Sequence, residues 1–418
     1  MPVKKTKNLY AKVCHLSNLA RAWEVVRKNG LNSRSDISKK QIRDFENGIR
    51  KKLQHIQAQL KSKTFRFSLA RGVPIPREGK DDRPLVVSPI ENRIVQRAIL
   101  QVLQSEEGIR KHLHVSTSFG GIEDRGVKDA LKLIALKISK GAEYFVRSDI
   151  KSFFTKIPKE EVLEIIFKSI SVRDEHFENL LSNAIRTELE NLDSLGEKAS
   201  LFPLDDTGVA QGSCLSPLLG NIFLSEFDSI SNSDDVTCIR FVDDYVILGP
   251  DLKSVKAKLL KGKDHLNQRG LEIYDPFGSS EKGKNGKVLG GFEFLGCDIS
   301  PGRISPSTKS IENLKEKVQQ RISKSFHPTQ NTTYAETLNG LKNTVYGWGN
   351  SYSFCNNQNL ISSLDKWLIN EIVRFHKNYI KNLEKIADPG SLVQMLGVSP
   401  LISCKHDPIY MDKKLQKK

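Results

Sequence analysis

The chain has 418 residues, 38% of them hydrophobic, enough for packed cores in two or three domains. Lys and Arg number 65 against 49 Asp and Glu, a net charge of +16 that points to a polyanionic partner. No apolar run reaches the ~20 residues of a spanning helix. No signal-like stretch follows the N-terminal Met-Pro-Val-Lys-Lys-Thr-Lys. The six cysteines (14, 214, 238, 297, 355 and 404) form no CxxC pair. These features exclude a transmembrane protein, a disulfide scaffold and a zinc ribbon, and predict a reducing, cytoplasmic setting.

Residues 1–80 carry 20 Lys and Arg against 5 Asp and Glu, a net of +15. Within them, 8–62 predicts helices, with Leu53, Ile56 and Leu60 at helical spacing. Alternation at Phe65, Phe67 and Leu69 predicts a strand. It runs on through Val73-Pro74-Ile75-Pro76 to a charged loop, and Leu85-Val86-Val87 makes a second strand. Helices are expected over 90–105 and 126–139.

From 81 to 300 the balance reverses to 28 basic against 35 acidic residues, a net of −7. An acidic centre between basic ends suggests metal-binding carboxylates, against the plainer reading of solvated helix faces. Tyr144 to Asp149 reads as a strand ending in an acid, and Glu160 to Ser169 as a helix. Thr207 to Gly212 is a Gly-bearing loop. Pro217 opens an apolar helix to about Phe227. Val236 to Leu248 has the pattern of a hairpin, and 252–268 that of a helix. A polar loop is expected over 275–287 and a strand over 292–295. Beyond 307 only helices are expected, on the stripes Ile311-Leu314-Val318-Ile322, Leu338-Leu341-Val345-Trp348 and Leu364-Leu368-Ile372-Phe375. This last third, 301–418, has a net charge of +8 and ends in a basic tail.

The chain has four Asp-Asp pairs: 81–82, 205–206, 234–235 and 243–244. Only Asp243-Asp244 is set in apolar strand sequence. Carboxylates are costly there unless a metal or another partner compensates. Neighbours on a straight strand face opposite ways, so both can serve one site only from a hairpin turn.

Arg147-Ser148-Asp149-Ile150-Lys151-Ser152-Phe153-Phe154, Gln211-Gly212 through Asn221-Ile222, and Phe241-Val242-Asp243-Asp244 occur in that order. With Ile75 to Leu85, Asn92 to Gln96, Phe292 to Gly296 and Gly347 to Tyr352, they resemble the motifs of prokaryotic reverse transcriptases of the group II intron lineage. The resemblance covers about residues 65–385. It implies an α+β right-hand polymerase fold, with fingers, an antiparallel-sheet palm and an all-helical thumb. The implied divisions are a basic helical extension at 1–64, fingers at 65–140 and a palm at 141–300 with a helical insertion at about 160–205. A thumb at 301–385 and a tail at 386–418 follow.

The resemblance implies RNA-directed DNA synthesis by two-metal phosphoryl transfer. Two Mg²⁺ ions would sit on Asp149, Asp243, Asp244 and the Ile150 carbonyl. Arg77 and Arg83 would bind the triphosphate, Phe154 would exclude a 2′-hydroxyl, and Gln211 and Gly212 would line the nucleotide pocket. Lys282 is a candidate general acid. The implied partners are an RNA template, a DNA primer or product, and dNTPs, with no membrane. Priming from a tyrosine such as Tyr379 or Tyr410 is one option.

The chain departs from the family pattern at Phe241, at Ser118 to Arg125, and at the Gly/Ser/Lys-rich stretch after Asp275. The thumb lacks a retron-type Val-Thr-Gly, and no zinc-type cysteines follow it. These departures are most like the stand-alone defence-associated enzymes. They suggest antiphage defence with a noncoding RNA partner. The alternatives are an intron-encoded reverse transcriptase/maturase and a catalytically idle RNA-binding module.

Overall fold

The computed structural model describes residues 8–33, 35–77, 80–280, 282–324 and 333–385, with Pro389, Val393 and Leu396 beyond them. The rest of the expected tail, including Cys404 and Tyr410, lies outside the described residues. Two compact units divide at Val288 and Leu289.

In the first unit the basic N-terminal region folds as helices Leu9–Cys14, Leu16–Leu31, Asp36–Glu46 and Ile49–Lys61. Side-chain caps start two of them. The Asn8 side chain accepts from the Ala11 N–H, and the Ser35 side chain from that of Ser38. Their apolar faces, including Leu53, Ile56 and Leu60, join one core with helix Ile90–Ser105.

The strand expected at 65–69 does not form. Asn92 takes both backbone groups of Ser68, accepting from its N–H at 3.1 Å and donating to its carbonyl at 2.7 Å. Phe65 and Phe67 stack edge to face instead of alternating on a sheet. Ala70 makes a single parallel bridge to Leu189, and the antiparallel hairpin of β1 (Arg71–Arg77) and β2 (Lys80–Val87) begins at Arg71.

The main sheet has the order β3-β5-β6-β4-β7. Its strands are β3 (Ser118–Phe119), β4 (Tyr144–Asp149), β5 (Thr237–Phe241), β6 (Asp244–Gly249) and β7 (Lys284–Lys287). All pairings are antiparallel except the short β3–β5 contact. Helices Val127–Ser139 and Leu252–Gln268 pack against it. The expected hairpin is thus β5–β6.

Two other expectations change. The helix after Pro217 ends at Phe223 and resumes as Ser225–Ile230. Lys284–Lys287, expected as loop, covers the free edge of β4. Its Lys-Asn-Gly-Lys sequence has no apolar alternation, and its backbone supplies the pairing that the edge of β4 needs. Gly286 sits against the Phe145 ring, where a Cβ would lie 3.2 Å away.

The second unit begins with β8 (Phe292–Phe294), β9 (Cys297–Ser300) and β10 (Arg303–Pro306), sheet order β10-β9-β8. The last two strands were not expected. Helices Thr308–Lys324, Tyr334–Ser351 and Gln358–Leu383 follow. Leu314, Val318 and Leu341 form their buried centre, with Ile322, Leu338, Val345, Trp348, Leu368 and Ile372 around it. Tyr379 is only 2% exposed and packs on Phe375 and Tyr334, so its hydroxyl is not presented to solvent. No helix among the described residues is long and apolar enough to cross a membrane.

Candidate active site

Asp149 ends β4 and pairs directly across from Asp244, the first residue of β6. Asp243 sits in the turn from β5, and its carbonyl accepts from the Ile150 N–H at 3.2 Å. The turn thus brings both acids of the pair to the end of β4. It requires Val242 at φ +61°. A β-branched residue there is a backbone outlier, with a cost on the order of 1–3 kcal/mol.

Asp149 is 6% exposed, and its Oδ1 has no hydrogen-bond partner. Its Oδ2 is paired with the Lys282 ammonium. Burial and the neighbouring Asp149 push the Asp243 carboxyl up to about 6. Burial, Asp149 and Asp243 together push Asp244 up to about 6. Burial acts to lower the Lys282 ammonium, but its hydrogen bond to Asp149 and the charge there outweigh this and raise it.

Lys282 arrives on a tightly folded loop. A Cβ at Gly283 would lie 2.4 Å from the Asp275 carbonyl oxygen, so the chain closes on itself there. The ammonium also sits 4.5 Å over the Tyr274 ring. Tyr274 is held beside the acids: its N–H donates to the Asp149 carbonyl at 3.1 Å, and Ser148 Oγ donates to its carbonyl at 2.6 Å.

No group of three His, Cys, Asp or Glu among the described residues encloses a metal ion by itself. The donors nevertheless fit a hard, oxygen-seeking ion. They are carboxylates only, burial and the charge of Asp149 raise the proton affinity of Asp243 and Asp244, and one Asp149 oxygen is buried without a partner. Magnesium typically takes one or two carboxylates and completes its shell with substrate phosphates and water.

A second group of predicted residues lies along β2. Arg83 Nε donates to Gln211 Oε1 at 2.8 Å. The Gln211 carbonyl accepts from the Val86 N–H at 2.7 Å. Gly212, at φ +115°, passes so close to β2 that a Cβ would lie 2.6 Å from the Val86 carbonyl oxygen. Arg77 ends β1, and its Nε donates to the Asp81 carbonyl. The half-buried Phe154 packs on Phe153, at 5.3 Å between ring centroids, and lies over Gly220.

Residues 75–298, more than half of the chain, match the family described as "Reverse transcriptase (RNA-dependent DNA polymerase)". The chain belongs to the reverse transcriptase family. Asp149, Asp243, Asp244 and Lys282 all lie in the matched segment. It is 31% identical over 180 residues to Protein YkfC of Escherichia coli, covering 42% of this chain and 44% of that protein. To the group II intron-encoded protein LtrA of Lactococcus lactis it is 27% identical, covering 50% of this chain and 34% of LtrA. The chain spans less than half the length of the curated relatives it matches. Among solved structures, a Cas6-RT-Cas1–Cas2 complex aligns over 63% of this chain and 27% of that one, with 22% identity and a TM-score of 0.37.

Two features of the chain go beyond what the sequence motifs indicate. One is a cleft of about 550 Å³ between the segment 63–70 that precedes β1, helix Ile90–Ser105 and helix Glu175–Ile185. Lys63, Arg66 and Arg186 line it, along with Asn92, Asn179 and Asn183. Thr187, 5% exposed, also lines it, and its buried Oγ1 has no hydrogen-bond partner. These residues are scattered in sequence, and of those named only Asn92 belongs to a motif quoted above. The other is Arg240, fully buried beside the acidic turn. Its signal was available: an arginine inside the apolar run Cys238-Ile239-Arg240-Phe241.

Proposed function

We propose that the chain is an RNA-directed DNA polymerase that extends a DNA 3′ end by two-metal phosphoryl transfer. The observation that carries this is the meeting of Asp149, Asp243 and Asp244 at one end of β4, within a segment of reverse transcriptase sequence. In this reading the main sheet is the palm, the β1–β2 hairpin belongs to the fingers (65–140), and the helices of 301–385 form the thumb. The palm spans 141–300, after a basic extension at 1–64.

Asp149, Asp243 and Asp244, with the Ile150 carbonyl, would hold the divalent ions. Mg²⁺ bound there would supply Lewis acidity to the attacking 3′-hydroxyl and to the leaving pyrophosphate. Arg77 and Arg83 offer guanidinium groups for the triphosphate. Gln211, bonded to Arg83, and Gly212 would form the nucleotide pocket wall, and Phe154 would crowd a 2′-hydroxyl. Lys282 neutralises Asp149 in this arrangement, and acting as a general acid requires it to leave that carboxylate. The cleft suits single-stranded RNA, with cations for phosphates and amides and an unpartnered hydroxyl for base edges.

The departures at Ser118 to Arg125 and after Asp275 support a role in antiphage defence with a noncoding RNA. The similarity to LtrA favours, as the second reading, an intron-encoded enzyme. Extension of a DNA primer on RNA, with Mg²⁺ and dNTPs, tests the activity. Replacing Asp243→Ala and Asp244→Ala should lower the rate by at least about 10³-fold and leave RNA affinity within about twofold, because neither carboxylate contacts phosphate without an ion. Undiminished incorporation by this double variant would sink the assignment.

A further inference from the structure

The Arg240 guanidinium uses all five of its N–H groups. Nε and Nη2 pair with the two Asp228 oxygens at 2.7 and 2.6 Å. Nη2 also donates to Ser118 Oγ at 2.6 Å. Nη1 donates to Asn221 Oδ1 at 2.9 Å and to the Val242 carbonyl at 2.8 Å. Asn221 in turn donates to the Gly120 carbonyl at 3.0 Å. Gly120, at φ +79°, is packed so that a Cβ would lie 2.9 Å from Val242 Cγ2. The Val242 N–H donates to the Phe119 carbonyl at 3.2 Å. Val242 is therefore held at its carbonyl, its amide and its side chain, and Asp243 is the next residue.

We propose that Arg240 is a positioning residue for the catalytic carboxylates. Asp228, Asn221 and Ser118 fix its guanidinium. It then holds Val242 in the left-handed conformation that sets Asp243 and Asp244 against Asp149. The inference rests on the proposal that these carboxylates bind divalent ions. A buried ion pair can be purely structural. A pair that only tied helix Ser225–Ile230 to β5 would be indifferent to the backbone at residue 242, and this difference can be measured.

The lysine variant Arg240→Lys keeps the charge and loses the fork. It should lower kcat by about 10²-fold with KM for dNTP within about twofold, since a small misplacement of reacting groups costs on that order. It should also weaken binding of Mn²⁺, followed by electron paramagnetic resonance without any turnover. Adding Val242→Gly, which adopts the left-handed conformation freely, should recover about tenfold of both losses.

If Arg240→Lys does not fold by circular dichroism, Asn221→Ala serves in its place and should show the same pattern. A folded variant with unchanged Mn²⁺ affinity and kcat, or losses that Val242→Gly does not reverse, overturns the inference while the polymerase reading stands. If the unaltered protein neither binds Mn²⁺ nor extends a primer, the polymerase reading falls and the inference with it.

Discussion

At Asp243 and Asp244, burial and the charge of the neighbouring Asp149 raise the proton affinity of both carboxyls, and Asp243 adds to the effect on Asp244. Both are shifted from an ordinary value of 3.8 to about 6. A carboxyl with a raised folded-state value favours the protonated form. Its cost to the ion-free fold is absent below about pH 4 and grows as pH rises through 6. The ion-free protein with Asp243→Asn and Asp244→Asn should therefore be more stable than the unaltered protein at pH 7.5, by roughly 3–6 kcal/mol. It should have no advantage at pH 4. Thermal unfolding with chelator at the two pH values checks this, and an equal gain at both would count against buried carboxylate charge as the source of the cost. Mg²⁺ should stabilise the unaltered protein at pH 7.5 and much less at pH 5.5, where the carboxyls compete for protons. The sequence disclosed this pair because an Asp-Asp step inside Cys-Ile-Arg-Phe-Val and Tyr-Val-Ile-Leu is chemically out of place. It disclosed Lys282 only as a position in a long loop. What brings that ammonium to Asp149 is the closure of the chain at Gly283, a steric fact with no pattern in composition.

At the scale of elements, the hairpin Thr237–Gly249 and helices such as 90–105 and 252–268 were legible, since local periodicity and caps agree with the final packing. Local pattern and final structure part where a long-range partner decides. Asn92 removes Phe65 to Leu69 from the sheet, and β4 recruits a polar strand to its edge. The short helix Glu107–Leu113 shows the same dependence. A Cβ at its Gly108 would lie 1.8 Å from the Ser169 carbonyl oxygen, at the end of helix Lys159–Ser169. One turn later, His112 bridges Ser169 Oγ at 2.9 Å and Ser225 Oγ at 2.7 Å. Gly108→Ala should destabilise the first unit by about 1–3 kcal/mol, because backbone rather than a flexible side chain must yield. Denaturant unfolding measures it, and a neutral result would show that the two helices can separate freely. Burial lowers the His112 imidazole. The sign follows: a base with a depressed folded value stabilises above its unfolded value of about 6.5, and that contribution is lost as pH falls. His112→Gln should flatten the stability profile between pH 6.5 and 5 while leaving the profile above pH 7 parallel to that of the unaltered protein.

For the whole molecule, the charge of +16 divides into basic ends and an acidic centre. Part of the N-terminal excess comes to a definite place, since Lys63 and Arg66 meet Arg186 in the cleft. Arg186 belongs to the acidic middle of the sequence, so the cleft's charge could not be read by summing along the chain. If single-stranded RNA lies there, its affinity must carry the salt dependence of released counterions, about −0.7 in log–log slope for each phosphate contacted. Arg66 donates to the Lys63 and Phe65 carbonyls, bonds that Gln at this position can partly replace. Arg66→Gln with Arg186→Gln should therefore keep the fold and lower RNA affinity. The slope of log affinity against log salt should become shallower by about 1.4, as two contacts are lost. Fluorescence anisotropy of a labelled RNA oligonucleotide between 50 and about 300 mM salt gives both quantities. The Asp243→Asn, Asp244→Asn protein should keep the full slope in the absence of Mg²⁺, because its altered groups are not cations. A slope unchanged by the two arginine substitutions would place the RNA elsewhere on the basic surface and leave the cleft without a nucleic-acid role.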